Sequence, residues 1–166
     1  MAGRPWRRRL LPRIRWTRRR LISAAAVLAL VGGLVVVAAW PERASYRTED
    51  LRIDVRTGPA GDQPVTLDAT FYVPRSASAS ARVPAILLAH GFGGSKESLR
   101  AQARELAADG YAVLTYSARG FGRSGGQVHL DSSDFEVRDA RAMVDHLGRR
   151  PEVQKDRPGD PRVGVA

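Results

Sequence analysis

The stretch Val83-Pro-Ala-Ile-Leu-Leu-Ala-His-Gly-Phe-Gly-Gly-Ser-Lys96 decides how the rest of the chain is read. Its first half is a short apolar run ending at Ala89, with the length and composition of a strand buried on both faces. His90-Gly-Phe-Gly-Gly-Ser95 is so rich in glycine that it predicts a tight turn. A helical pattern follows, with Lys96, Leu99, Ala103, Leu106 and Ala107 on one side and a stop at Asp109-Gly110. Strand, glycine turn and helix together aim backbone N–H groups into a crevice at the carboxyl end of a sheet.

Upstream, Leu51–Arg56 and Val65–Val73 alternate apolar and polar residues around the turn chemistry of Gly58–Pro64. They predict an antiparallel hairpin at a sheet edge. Arg75–Arg82 is low in complexity and predicts a mobile surface loop. Downstream, Tyr111–Tyr116 predicts a second buried strand, Ser117–Gly126 a second glycine-rich loop, and Arg162–Ala166 a third buried strand. Ser133-x-x-Glu136 reads as a capping box for a helix whose apolar stripe is Val137, Ala140, Val144 and Leu147. Asp134 and Glu136 suit that helix's first turn, and Asp139 and Asp145 are expected to anchor it by hydrogen bonds. The fold class is α/β, an edge hairpin followed by parallel strands with helices.

The first forty residues have a different character. Of the 27 basic residues, nine arginines fall within residues 1–20, leaving 18 to face the 17 acids. The +10 formal charge therefore describes a tail rather than a basic domain, and the body lacks the basic, aromatic-studded face of a nucleic-acid binder. Leu21–Ala39 carries no charge, and as a helix it spans roughly 30 Å, enough for one transmembrane crossing. With arginines on one side, the positive-inside rule places residues 1–20 in the cytoplasm. Residues 21–40 then read as a membrane anchor, 41–50 as a linker and 51–166 as an extracytoplasmic domain. Val37-Ala38-Ala39 offers a cleavage site, so a secreted product of signal cleavage is the alternative. The lipid bilayer is the partner this segment predicts.

Candidate chemistry is sparse. Cysteine is absent, and His90, His129 and His146 have no metal-ligand spacing, so neither a metal nor another cofactor is expected. Ser124 lies in Gly122-Arg-Ser-Gly-Gly126, a literal Gly-x-Ser-x-Gly. That elbow needs a strand running directly in and a helix directly out, and here both lie several residues away, which favours a flexible loop. Gly120–Gly125 spells Gly-x-Gly-x-x-Gly without opening a helix, and Gly91–Lys96 lacks the Gly-Lys-Ser/Thr of a phosphate loop. His90, at a strand's end before glycine, reads more as a hydrogen-bonder of the turn than as a base.

An apolar strand ending in His90-Gly-Phe-Gly-Gly-Ser-Lys96 resembles the oxyanion-hole loop of α/β-hydrolases. A strand followed by Arg119-Gly120-x-Gly122-x-Ser124-x-Gly126 is similar to the next loop of that fold, above all in the Xaa-Pro dipeptidyl peptidase and cocaine-esterase-like branch. The likeness covers residues 51–166. It implies the N-terminal half of an α/β-hydrolase sheet, with the nucleophile, acid and histidine encoded beyond Ala166 and no catalytic residue in this chain. It further implies that the Phe92 N–H donates to the oxyanion while His90, Gly91 and Gly93 shape the turn. The substrate of the complete serine hydrolase would be a small ester, amide or peptide. Phe92 stands where that branch often has an oxyanion tyrosine, and Ser117 where it has aspartate, so Xaa-Pro specificity does not carry over. The alternative is a non-catalytic, membrane-anchored binding domain on the same fold.

Overall fold

The structure, a computed structural model, describes residues 45–166. The transmembrane segment expected over residues 21–40, like the tail before it, lies outside these residues. Among the described residues no helix is long and apolar enough to cross a membrane.

Five strands form one mixed sheet: β1 Tyr46–Thr57, β2 Gln63–Pro74, β3 Ala85–Ala89, β4 Ala112–Tyr116 and, late in the chain, β7 Val163–Val165. Their spatial order is β1-β2-β4-β3-β7. β1 pairs antiparallel with β2, and β2 antiparallel with β4, while β4, β3 and β7 run parallel. Two short strands, β5 Lys155–Arg157 and β6 Asp160–Pro161, make a separate small hairpin. A 3₁₀ turn over Lys96–Leu99 leads into α1 Arg100–Ala108, and α2 spans Glu136–Arg149.

Alternation along β2 divides the interior in two. Val65, Leu67, Ala69, Phe71 and Val73 join Met143 and Leu147 of α2 in the larger core. Tyr72 points the other way, with Leu88, Val113 and the small Ala103 and Ala107 of α1. The helices therefore cover opposite faces of the sheet, each closing a face that the period-2 pattern left apolar. α1 ends at Ala108, and Gly110 beyond its Asp109 cap has a φ of +101° that lets the chain reverse into β4.

Several expectations need correction. β1 begins at Tyr46 rather than Leu51, inside the expected linker, because its first residues are held by charge. Arg47 reaches Glu152 at 2.7 Å and Glu49 meets Arg150 at 2.9 Å, and hydropathy is blind to such pairs. The Ser-Ala loop is anchored: Ala77 is buried, its N–H donates to Pro74 O, and Ser78 and Ala81 exchange backbone hydrogen bonds. β7 is not buried, since Val165 is largely exposed at the sheet's edge.

α2 is rotated from the expected stripe. Asp139, Met143 and Leu147 (i, i+4, i+8) are buried, whereas Val137 is exposed and Ala140 and Val144 are half-buried. Asp139 turns inward because it meets a buried guanidinium, so a charge sets the helix face. The capping box is also displaced. Ser133 is exposed and makes no cap, and Glu136 instead accepts from the Ser132 N–H at 3.0 Å and the His129 N–H at 2.8 Å. Asp145 is exposed and, among the described residues, anchors nothing.

Candidate active site loops

Two glycine-rich loops leave the carboxyl ends of the adjacent parallel strands β3 and β4. The first, His90–Ser95, turns through a Gly94 N–H to Gly91 O hydrogen bond of 3.0 Å, with Gly93 at φ +81°. A side chain at Gly93 would be strained by that φ. His90 stitches this loop to its neighbour: Nε2 accepts from the Ala118 N–H at 2.9 Å, so Nδ1 carries the proton and donates to Gly91 O at 2.8 Å. With both ring nitrogens committed to backbone, His90 acts as a brace for the turn.

Phe92 stands at the tip, 83 % exposed, with its ring edge-on to Phe121 at 5.4 Å. Among the described residues no acceptor takes its N–H. That leaves an exposed backbone donor without a protein acceptor at the carboxyl end of a central strand.

The second loop, Ser117–Gly126, holds Ser124. Its hydroxyl donates to Ser117 O at 2.6 Å and accepts from the Asp68 N–H at 2.9 Å. Both functions of that hydroxyl are consumed by backbone, which makes Ser124 a cross-tie from the loop to β2. A side chain at Gly122 would fall 2.7 Å from Ser117 Oγ, so this glycine is demanded by close approach as well as by its φ of +56°.

Underneath lies a charged cluster that residue patterning missed. Lys96 is 4 % exposed and its ammonium donates to Asp68 Oδ1 at 3.0 Å, Ala69 O at 3.0 Å and Asp50 Oδ1 at 3.3 Å. The Lys96 N–H donates to Ser117 Oγ at 3.1 Å, and Arg123 Nε reaches Asp68 Oδ2 at 3.1 Å. One buried carboxylate thus receives a cation from each loop. Burial alone would raise the Asp68 pKa, but Lys96 and Arg123 outweigh it and hold the carboxyl below the usual range. Asp50 is held low chiefly by the Thr70 hydroxyl, with Lys96 adding to it. Asp68 gives no local signal, because it falls at a polar position of the alternation over Val65–Val73.

A second buried pair fixes the far side of the β4 loop. Arg119 donates from Nε and Nη2 to Asp139 at 2.7 and 2.8 Å and from Nη2 to Thr57 Oγ1 at 2.8 Å. All three side chains are buried, and Arg119 also lies 4.9 Å over the Phe135 ring. Asp139 thereby fills its expected anchoring role. His129 stacks on Phe135 at 3.7 Å. His146 is half-buried on α2, and burial followed by the nearby Arg150 and Arg149 pushes its pKa down. Among the described residues no cluster of histidine and acidic side chains is arranged to hold a metal.

Parts of the chain are similar to known proteins. Residues 81–158 match the family described as serine aminopeptidase, S33. The chain is 35 % identical over 97 residues to the uncharacterized protein PA2218 of Pseudomonas aeruginosa, covering 57 % of this chain and 26 % of that one. It is 31 % identical over 97 residues to YcjY of Escherichia coli, covering 57 % and 32 %. The chain thus spans about a third or less of the curated relatives it matches. The crystal structure of PA2218 superposes with a TM-score of 0.59 at 30 % identity, covering 76 % of this chain and 36 % of that one. An acetyl xylan esterase from Thermoanaerobacterium sp. JW/SL YS485 shares the fold, with a TM-score of 0.52 at 21 % identity over 75 % and 41 % of the two chains.

Proposed function

We propose that the described domain is the N-terminal part of a serine hydrolase of α/β-hydrolase type, carrying the oxyanion loop and not the nucleophile. The unclaimed Phe92 N–H, held at the end of β3 by the His90 and Lys96 braces, is the observation that carries this reading. The match of residues 81–158 to a serine aminopeptidase family supports the same chemistry. In the longer protein, a serine hydroxyl attacks the carbonyl carbon of an ester, amide or peptide. The carbonyl oxygen becomes an oxyanion, to which the Phe92 N–H donates. Collapse expels the alcohol or amine and leaves an acyl-enzyme that water then opens. One such donor is worth ~3 kcal/mol to the transition state, provided it is already in place before the charge develops.

His90, Gly91 and Gly93 keep that N–H in place and take no part in proton transfer. Ser124 is no nucleophile, because activating it would require breaking two backbone hydrogen bonds. The triad is supplied from beyond Ala166. We further infer that the Leu21–Ala39 run anchors the enzyme in the cell membrane with this domain outside, or exports it by cleavage. The second loop favours the Xaa-Pro peptidase and cocaine-esterase-like branch, while Phe92 and Ser117 weigh against an Xaa-Pro preference.

A fluorophosphonate probe tests the reading. It is expected to label the longer protein at a serine C-terminal to Ala166 and to leave the 166-residue chain unlabelled. Labelling of that chain, abolished by Ser124→Ala, would overturn it.

A further inference from the structure

We propose that the crevice between β1, β2 and the start of α1 binds a phosphate-type oxyanion, gripped by Arg100 and Arg104. The crevice has a volume of ≈ 240 Å³ and is polar. Arg100 and Arg104 line it from one face of α1, a single turn apart. Among the described residues neither has a carboxylate partner. Two like charges at i and i+4 repel each other, and an anion between them reverses that cost.

The other cations of the crevice are already engaged. Lys96 is taken by Asp68 and Asp50, and Arg123 by Asp68. The crevice also contains the carboxylates of Asp50 and Glu97. Asp50 is compensated by Lys96 at 3.3 Å and by the Thr70 hydroxyl at 2.7 Å, so Glu97 alone opposes the two free guanidiniums.

Hydroxyls complete the lining. Tyr72 has its ring in the core beneath α1, and Arg100 and Arg104 lie close enough to act on its ionisation. Thr48 lines the same wall, and among the described residues its hydroxyl makes no hydrogen bond. Two planar guanidiniums with hydroxyl donors from a second direction suit a tetrahedral anion with several acceptor oxygens better than a planar carboxylate. The site does not depend on the hydrolase reading, since it uses neither Phe92 nor a nucleophile.

Calorimetric titration of the 166-residue chain with inorganic phosphate, at ionic strength held constant with chloride, tests the proposal. Saturable one-site binding is expected, weakened at least tenfold by Arg100→Gln or Arg104→Gln and unchanged by Arg141→Gln on α2. No saturable binding, or equal weakening by Arg141→Gln, overturns it. Phosphate-dependent amide shifts at Thr48, Tyr72 and Arg104 in the unmutated chain provide a check that needs no variant, and shifts confined elsewhere also overturn it. The phosphate group has two possible sources. Short-chain phosphatidylglycerol below its micelle concentration that displaces inorganic phosphate and shifts the same amides assigns a lipid headgroup. Phosphate binding that this lipid does not displace assigns a free phosphate ligand.

Discussion

The Lys96 ammonium sits 3.0 Å from Asp68 Oδ1, and both side chains are almost fully buried. Lys96 follows the first glycine-rich loop directly, and Asp68 lies on β2 beneath the second. The pair ties both loops to the sheet, so the position of the Phe92 N–H depends on a charge contact far from the loop's own tip.

Removing one partner strands the other. Lys96→Met leaves the Asp68 carboxylate with only the exposed Arg123 as a cation, and should destabilise the domain by about 3 kcal/mol. Urea unfolding measures this. Lys96→Met combined with Asp68→Leu should recover part of the loss, because an apolar pair carries no desolvation penalty.

The rotation of α2 has its own test. Met143→Ala should cost about 3 kcal/mol, whereas Val144→Ala, on the half-buried flank, should cost less than about 1 kcal/mol. Equal losses in thermal denaturation would restore the stripe expected from spacing alone.

Stability should fall on acidification, opposed among the described residues only by Asp139, whose carboxyl burial pushes up despite Arg119. Asp50, Asp68 and Glu136 have folded-state pKa values below their ordinary ones. The stability they confer is complete above the ordinary carboxylate range, about pH 4, and is lost as pH falls through their lower folded values. His146 acts earlier and with the same sign. Its pKa is lowered, so once pH drops below about 6.5 the unfolded chain binds the extra proton and stability declines. A melt series from pH 8 to pH 3 should show both steps, and His146→Gln should remove only the first.

Ser124→Ala removes a hydroxyl that serves two backbone groups and should cost about 1–3 kcal/mol. Hydrolytic activity of the longer protein should survive it, apart from any loss caused by looser loops. Abolished turnover with unchanged stability would identify Ser124 as the nucleophile.

What was legible in the sequence had a period or a turn. The apolar runs at Ala85–Ala89 and Ala112–Tyr116, the hairpin, and the glycine loops all appear where hydropathy and glycine place them. What was hidden rests on charge. The start of β1 is held by Arg47 and Glu49, the face of α2 by Asp139, and both loops by Lys96, Asp68 and Arg119. Spacing assigns such residues to the surface, because a buried charge is affordable only beside a partner distant in sequence. Lys96 and Asp68 are 28 positions apart, and Arg119 and Asp139 are 20. The role proposed for Phe92 comes from resemblance, since the chain carries no local pattern that marks a backbone donor.

That role is open to direct measurement in the longer protein. Replacing the Phe92 amide by an ester linkage, through incorporation of the corresponding hydroxy acid, deletes one N–H and leaves the side chain intact. The account predicts a fall in kcat of about 10²–10³-fold with KM little changed. An unchanged kcat would contradict it.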